Sequence, residues 1–144
     1  MNEKLYKLGI DIGSTTVKIA ILDEQDNLIF SDYERHFANI QETLSNLLHK
    51  AFDSTGEIMV SPMITGSGGL TLAKHLGIDF VQEVIAVSTA LTHYAPQTDV
   101  AIELGGEDAK IIYFENGNVE QRMNGICAGG TGSFIDQMAS LIQT

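Results

Sequence analysis

Positive charge and cysteine are both scarce in this sequence. Only 8 Lys and Arg stand against 19 Asp and Glu in 144 residues, a formal net charge of −11. Binding nucleic acid or an anionic membrane without sequence preference needs a surplus of positive charge, so neither partner is expected. Cys127 is the one cysteine; it excludes an intramolecular disulfide and cannot alone build a metal or cluster site. No apolar run approaches membrane-spanning length, and the opening MNEKLYKLGID lacks the apolar stretch of a signal peptide. No Pro- or Ser-rich linker interrupts the chain; the mildest break is the Tyr-Ala-Pro-Gln-Thr segment at 94–98. With 44% hydrophobic and 19% charged residues, global disorder is not expected. What remains is a soluble, cytoplasmic, folded chain, of a length that suits one domain or two very small ones.

Glycine is what the sequence has in quantity, and ten of its 14 copies fall at 13, 66–69, 105–106 and 125–132. Apolar runs lie between the clusters, which marks each as a turn with a task. The runs at 5–12 and 17–22 are rich in β-branched residues and read as a hairpin, with a turn at 23–27 and a third strand at 28–33. Ile40, Leu44, Leu47, Leu48, Ala51 and Phe52 recur at helical spacing, with Asn39 as N-cap. A strand over 58–64, a helix over 70–76 closed by Gly77 and a helix over 85–93 follow. A meander of strands over 100–104, 109–114 and 119–123 has Asn116–Gly117 as a hairpin signal. The periodicity predicts a last helix over 133–142.

The sequence also repeats itself. A shift of 92 residues lays Ile10–Asp11–Ile12–Gly13 over Ile102–Glu103–Leu104–Gly105, Lys18–Ile19 over Lys110–Ile111, and Asp23 over Glu115. Each copy is a strand, an acid, a glycine turn and a strand bearing lysine, which points to two related lobes.

An acid inside an apolar run is costly unless it is paired or holds a metal. Asp11 is such an acid. Gly13, Ser14, Thr15 and Thr16 behind it supply backbone N–H and hydroxyl donors suited to a phosphate. Asp11 is then placed to hold Mg²⁺ through water, and Lys18 to meet a phosphate as a point charge. The plain alternative is that Asp11 only caps the turn. The second copy, with Glu103, Gly105, Gly106, Glu107 and Asp108, shifts the balance: two such hairpins facing each other would grip a polyphosphate, with Glu107 or Asp108 orienting an attacking water. Thr65 to Gly69 reads as a flexible strand–helix connection rather than an anion site. Cys127 precedes a predicted helix, where the dipole favours a thiolate, although a lone cysteine is more often a small hydrophobe. His36, His49, His75 and His93 show no ligand spacing and read as surface or satisfied structural residues. Met59, Met63, Met123 and Met138 read as core filler.

These motifs resemble a known family. LGIDIGSTTVKIAIL is similar to the first phosphate motif of the superfamily of acetate and sugar kinases, actin and heat-shock-cognate chaperones, and IELGGEDAKII to its second. Within it, TGSGG and NGICAGGTGSFIDQMA resemble the activators of 2-hydroxyacyl-CoA dehydratases and the ATPase subunits of benzoyl-CoA reductase. The resemblance implies an α/β, ribonuclease H-like, actin-type fold, with a mixed sheet and flanking helices. It implies a first lobe over 1–97 and the opening of a second over 98–144. It further implies a homodimer bridging one [4Fe–4S] cluster, ATP and Mg²⁺ as cofactors, and delivery of a low-potential electron to an acyl-CoA dehydratase-type partner. Cys127 matches the first cluster ligand. Asp11, Gly13, Ser14, Thr15 and Lys18 match the first phosphate motif, and Glu103, Gly105, Gly106, Glu107 and Asp108 the second. Asp11, Glu103 and Glu107 are the expected catalytic residues.

The sequence departs from the family in three ways. It has no second cluster cysteine and no adenosine-binding glycine motif. It also carries Gly125–Ile126 before the cysteine and Glu107 where the family has Gln, which bears on cluster potential and hydrolysis rate. An N-terminal fragment is therefore expected, binding ATP weakly and inactive alone. Two other readings compete: a small-molecule kinase of the same superfamily, which leaves Cys127 without a role, and a non-catalytic actin-like interaction domain.

Overall fold

The computed structural model of the chain describes residues 4–104, 109–115 and 118–123. They fall into two compact units, Met1–Gln82 and Glu83–Thr144.

The first unit runs β1 (Leu5–Ile12), β2 (Thr16–Leu22), β3 (Leu28–Arg35), α1 (Ile40–Thr55), β4 (Met59–Thr65), α2 (Gly69–Leu76) and β5 (Asp79–Phe80). Its sheet has the order β3-β2-β1-β4-β5. The first three strands are antiparallel neighbours, while β4 runs parallel to β1 and β5 parallel to β4. The reversal follows from connection length: short turns join the antiparallel strands, and α1 carries the chain across to a parallel one. Alternation along β1 and β2 turns Leu8, Ile10, Ile12, Val17, Ile19 and Ile21 to one face, where all are buried in one core with Leu44, Leu47 and Ala51 of α1, Ile64 and Ala73. Leu47 is wholly enclosed, and burying such a side chain contributes about 1.5–3 kcal/mol.

Two expectations change in detail. Asn39 stands at the start of α1, but its side chain makes no capping bond; its amide donates to the Glu42 carboxylate instead. A cap would need the Asn39 side-chain oxygen to accept a backbone N–H, whereas this bond uses its NH2 group as donor. Its carbonyl takes the Thr43 hydroxyl at 2.7 Å. Met59 and Met63 are not core filler: they are 55% and 45% exposed, because alternation along β4 sends Ile64 inward and Met63 outward. The two-residue β5 carries no sequence pattern long enough to see. Gly77 does close α2, in the left-handed conformation (φ 68°), with Ile78 N–H donating to the Ala73 carbonyl at 2.9 Å.

The second unit begins with α3 (Glu83–Tyr94) and continues as the antiparallel meander β6 (Val100–Leu104), β7 (Ala109–Glu115) and β8 (Asn118–Met123). Ile112 is fully buried, and Lys110 is buried in an ion pair with Glu83 on α3. The Asn116–Gly117 turn and the helix expected over 133–142 lie outside the described residues. Among the described residues no helix is long and apolar enough to cross a membrane.

Candidate phosphate-binding hairpins

The repeat seen in the sequence is a repeat in strand register. On the first hairpin Asp11 faces Lys18 and Ile10 faces Ile19. On the second, Glu103 faces Lys110 and Ile102 faces Ile111. Every residue of each pair is displaced by the same 92 positions, so both hairpins place an acid opposite a lysine just before the turn. An opposite-charge pair across a ladder is a modest gain for the sheet. Here it also fixes a carboxylate and an ammonium at the mouth of each turn.

At the first mouth the turn is tight. Gly13 N–H donates to the Thr16 carbonyl at 2.9 Å, with Ser14 and Thr15 between them and Thr16 opening β2. Because β4 runs parallel to β1, Thr65 stands beside Asp11 in register, and the loop leaving β4 passes over the end of β1. That loop is a packed turn and not the flexible connection expected. Gly68 N–H donates to the Ile12 carbonyl at 2.9 Å. Gly66 has φ 102°, and a Cβ there would lie 2.2 Å from the Ile12 carbonyl oxygen and 2.6 Å from Asp11 Oδ1. Only glycine lets this backbone lie against the carboxylate.

The arrangement suits a hydrated cation and a phosphate. Asp11 supplies the carboxylate, Lys18 is exposed on the same side of its strand pair, and the turn supplies small donors. Thr65 Oγ1 is shielded from solvent and has no hydrogen-bond partner among the described residues. A buried hydroxyl left so is costly, and a polar ligand atom or an ordered water would satisfy it. Among the described residues no group of three or more His, Cys, Asp or Glu side chains gathers to hold a metal directly.

The second mouth is described only in part. Glu103 has one carboxylate oxygen, Oε2, fully shielded from solvent. Gly105, Gly106, Glu107, Asp108 and Cys127 lie outside the described residues.

Three structural partners escaped the sequence reading. Lys110 is engaged by Glu83, 27 positions away, and no local spacing signals that pair. Thr65 acquires its place from the parallel pairing of β4 with β1. His36, read only as a surface or satisfied structural residue, is the latter: it is buried behind the first turn, its Nε2 3.0 Å from the Gly13 carbonyl oxygen.

Comparison with known proteins agrees with this geometry. The chain is 30% identical to the (R)-2-hydroxyglutaryl-CoA dehydratase activating ATPase of Acidaminococcus fermentans, over 96% of this chain and 54% of that protein. It is 29% identical to the 2-hydroxyisocaproyl-CoA dehydratase activator of Clostridioides difficile, over 96% of this chain and 53% of that one. The chain thus spans about half the length of the curated relatives it matches. The solved activator of the 2-hydroxyisocaproyl-CoA dehydratase from Clostridium difficile, with bound ADPNP, superposes with a TM-score of 0.81 at 28% identity, covering 96% of this chain and 53% of that one. The fold is accordingly the ribonuclease H-like, actin-type α/β fold, its mixed sheet flanked by helices. The BadF/BadG/BcrA/BcrD ATPase family matches residues 8–144, and the chain belongs to that family.

Proposed function

We propose that this chain is the phosphate-binding part of an ATP-hydrolysing activator of a 2-hydroxyacyl-CoA dehydratase-type enzyme. The observation that carries the reading is the acid–lysine register repeated on two glycine-turn hairpins. The activators among its relatives and the ADPNP-bound neighbour support it. The two lobes of the activator would divide this chain at 1–97 and 98–144.

Asp11 and Glu103 would hold Mg²⁺ through its water shell, since Mg²⁺ takes one or two carboxylates and keeps several waters. Gly13, Ser14, Thr15 and Thr16, with Gly105, Gly106 and Asp108, would receive the phosphates, and Lys18 would offset their charge. Glu107 would orient and deprotonate the attacking water. Fixed donors aimed at developing charge are the main source of rate in such a site. Cys127 would be this chain's ligand to a [4Fe–4S] cluster shared across a homodimer. That cluster, when bound, supplies the low-potential electron passed to the dehydratase-type partner. The setting would be the cytoplasm.

Two measurements test the reading. Made in the full-length activator, Asp11→Asn and Glu103→Gln should each keep the fold and lower Mg–ATP turnover by at least about tenfold; unchanged turnover at saturating Mg²⁺ in both reduces these carboxylates to turn caps. In the anaerobically prepared full-length activator, Cys127→Ser should lose the iron and visible absorption that wild type carries. A serine variant with full iron content, or a wild type that never carries iron, removes the electron-donor role.

A further inference from the structure

We infer that His36 is a positioning residue: it aims the Gly13–Ser14 peptide so that the Ser14 N–H faces a bound phosphate. The inference rests on the nucleotide reading above and adds a residue outside both phosphate motifs.

His36 follows β3 on the loop to α1 and is 8% exposed. It grips the first turn twice and is held once by its own loop. Its own N–H donates to the Thr15 carbonyl at 3.0 Å. Its Nδ1 accepts the Ala38 N–H at 3.0 Å. Its Nε2 lies 3.0 Å from the Gly13 carbonyl oxygen. A ring nitrogen that accepts an N–H carries no proton, so in the neutral ring the proton is on Nε2 and is donated to Gly13. The tautomer is therefore dictated by the loop.

Peptide geometry does the rest. Every peptide bond described is trans, so the N–H of Ser14 points opposite to the Gly13 carbonyl in the same plane. Holding that carbonyl toward His36 turns the Ser14 N–H away from His36. Holding the Thr15 carbonyl as well keeps a second negative dipole end from competing with an anion.

The loop bends to make this grip. Phe37 and Ala38 have φ of 46° and 64°, two consecutive non-glycine residues in the left-handed region, and Phe37 is 83% exposed. Such a conformation persists only where other contacts hold it. Here it returns the Ala38 N–H to the imidazole, and burial of Phe37 cannot be its cause.

The experiment uses nuclear magnetic resonance on the 144-residue chain, with Mg–ADPNP and magnesium tripolyphosphate as separate probes. A long-range nitrogen–proton spectrum should show His36 as the Nε2–H tautomer; the Nδ1–H form overturns the proposal. His36→Leu keeps an apolar side chain in the buried site but removes both ring bonds, and should weaken both probes about tenfold, some 1.4 kcal/mol. His36→Gln, which both donates and accepts, should restore binding to within about threefold of wild type at a similar melting temperature to the leucine variant. Equal binding by leucine and wild type overturns the proposal. If His36→Leu does not fold, the glutamine variant and the tautomer spectrum decide it in the same senses. A wild type whose resonances respond to neither probe ends the nucleotide reading itself; the tautomer spectrum then decides by itself whether His36 holds the turn.

Discussion

The two hairpins share one register and differ in what surrounds them. On the first, Lys18 is exposed opposite Asp11, and a parallel fourth strand brings the Gly66 loop over the turn's base. On the second, Lys110 is buried and engaged by Glu83 of α3. Its other neighbour is β8, which pairs with β7. One repeated sequence unit thus yields two lysines with different employment. The first is available to a ligand, and the second is committed to holding a helix on a sheet. Identity of motif does not carry identity of role; the elements packed on the motif decide it.

The largest effect expected is at the feature the first hairpin alone shows among the described residues. Gly66→Ala places a Cβ into the Ile12 carbonyl and the Asp11 carboxylate at a left-handed φ. Denaturant unfolding should register a loss of about 3 kcal/mol or more. Gly77→Ala, where a Cβ meets nothing within 4 Å at φ 68°, should cost only about 1 kcal/mol. Equal losses would mean that the Gly66 loop yields and does not clamp Asp11.

Next in size is the contrast between the lysines. Lys110→Ala leaves Glu83 in a site where its side chain is only 20% exposed, and should cost about 2–3 kcal/mol. Lys18→Ala should stay within about 0.5 kcal/mol of wild type in the same unfolding measurement, as surface substitutions do. A reversed order would erase the distinction drawn between the two hairpins.

The smallest effect is at the turn after β2. The Asn27 N–H, with help from its side-chain amide and the Gln25 N–H, holds the Asp23 carboxyl below the usual carboxylate range. A group whose folded pKa is depressed stabilises above its unfolded pKa and loses that contribution as pH falls through the folded one. The melting temperature of Asp23→Ala should therefore lie slightly below wild type at pH 7, and the gap should close under acid, from about pH 4 downward. A gap independent of pH would assign the effect to chain geometry and not to the charge.

Much of this was legible in the sequence because it is local. Alternating Ile and Val residues announced β1 and β2, and helical spacing from Ile40 to Phe52 announced α1. The 92-residue offset announced a shared register before any strand was paired. What was not legible depends on distant partners. Thr65 matters only because β4 pairs in parallel with β1, and Lys110 only because α3 supplies Glu83. His36 is a lone histidine in sequence; its Nε2 meets Gly13, 23 positions away, and its Nδ1 contact comes with a backbone bend at Phe37 and Ala38. The glycines of 66–69 looked like slack; all three are close-packed, Gly66 against Asp11, Gly68 against Ile12 and Gly69 against Ile64.

The central claim is that both hairpins serve one nucleotide. It is tested most directly by titrating the chain with Mg–ADPNP and following the backbone amides of residues 11–18 and 103–110. The account predicts that both segments shift along one binding curve with a single dissociation constant, and that Asp11→Asn weakens the response of both together. A titration in which neither segment moves, or in which only one does, would contradict it.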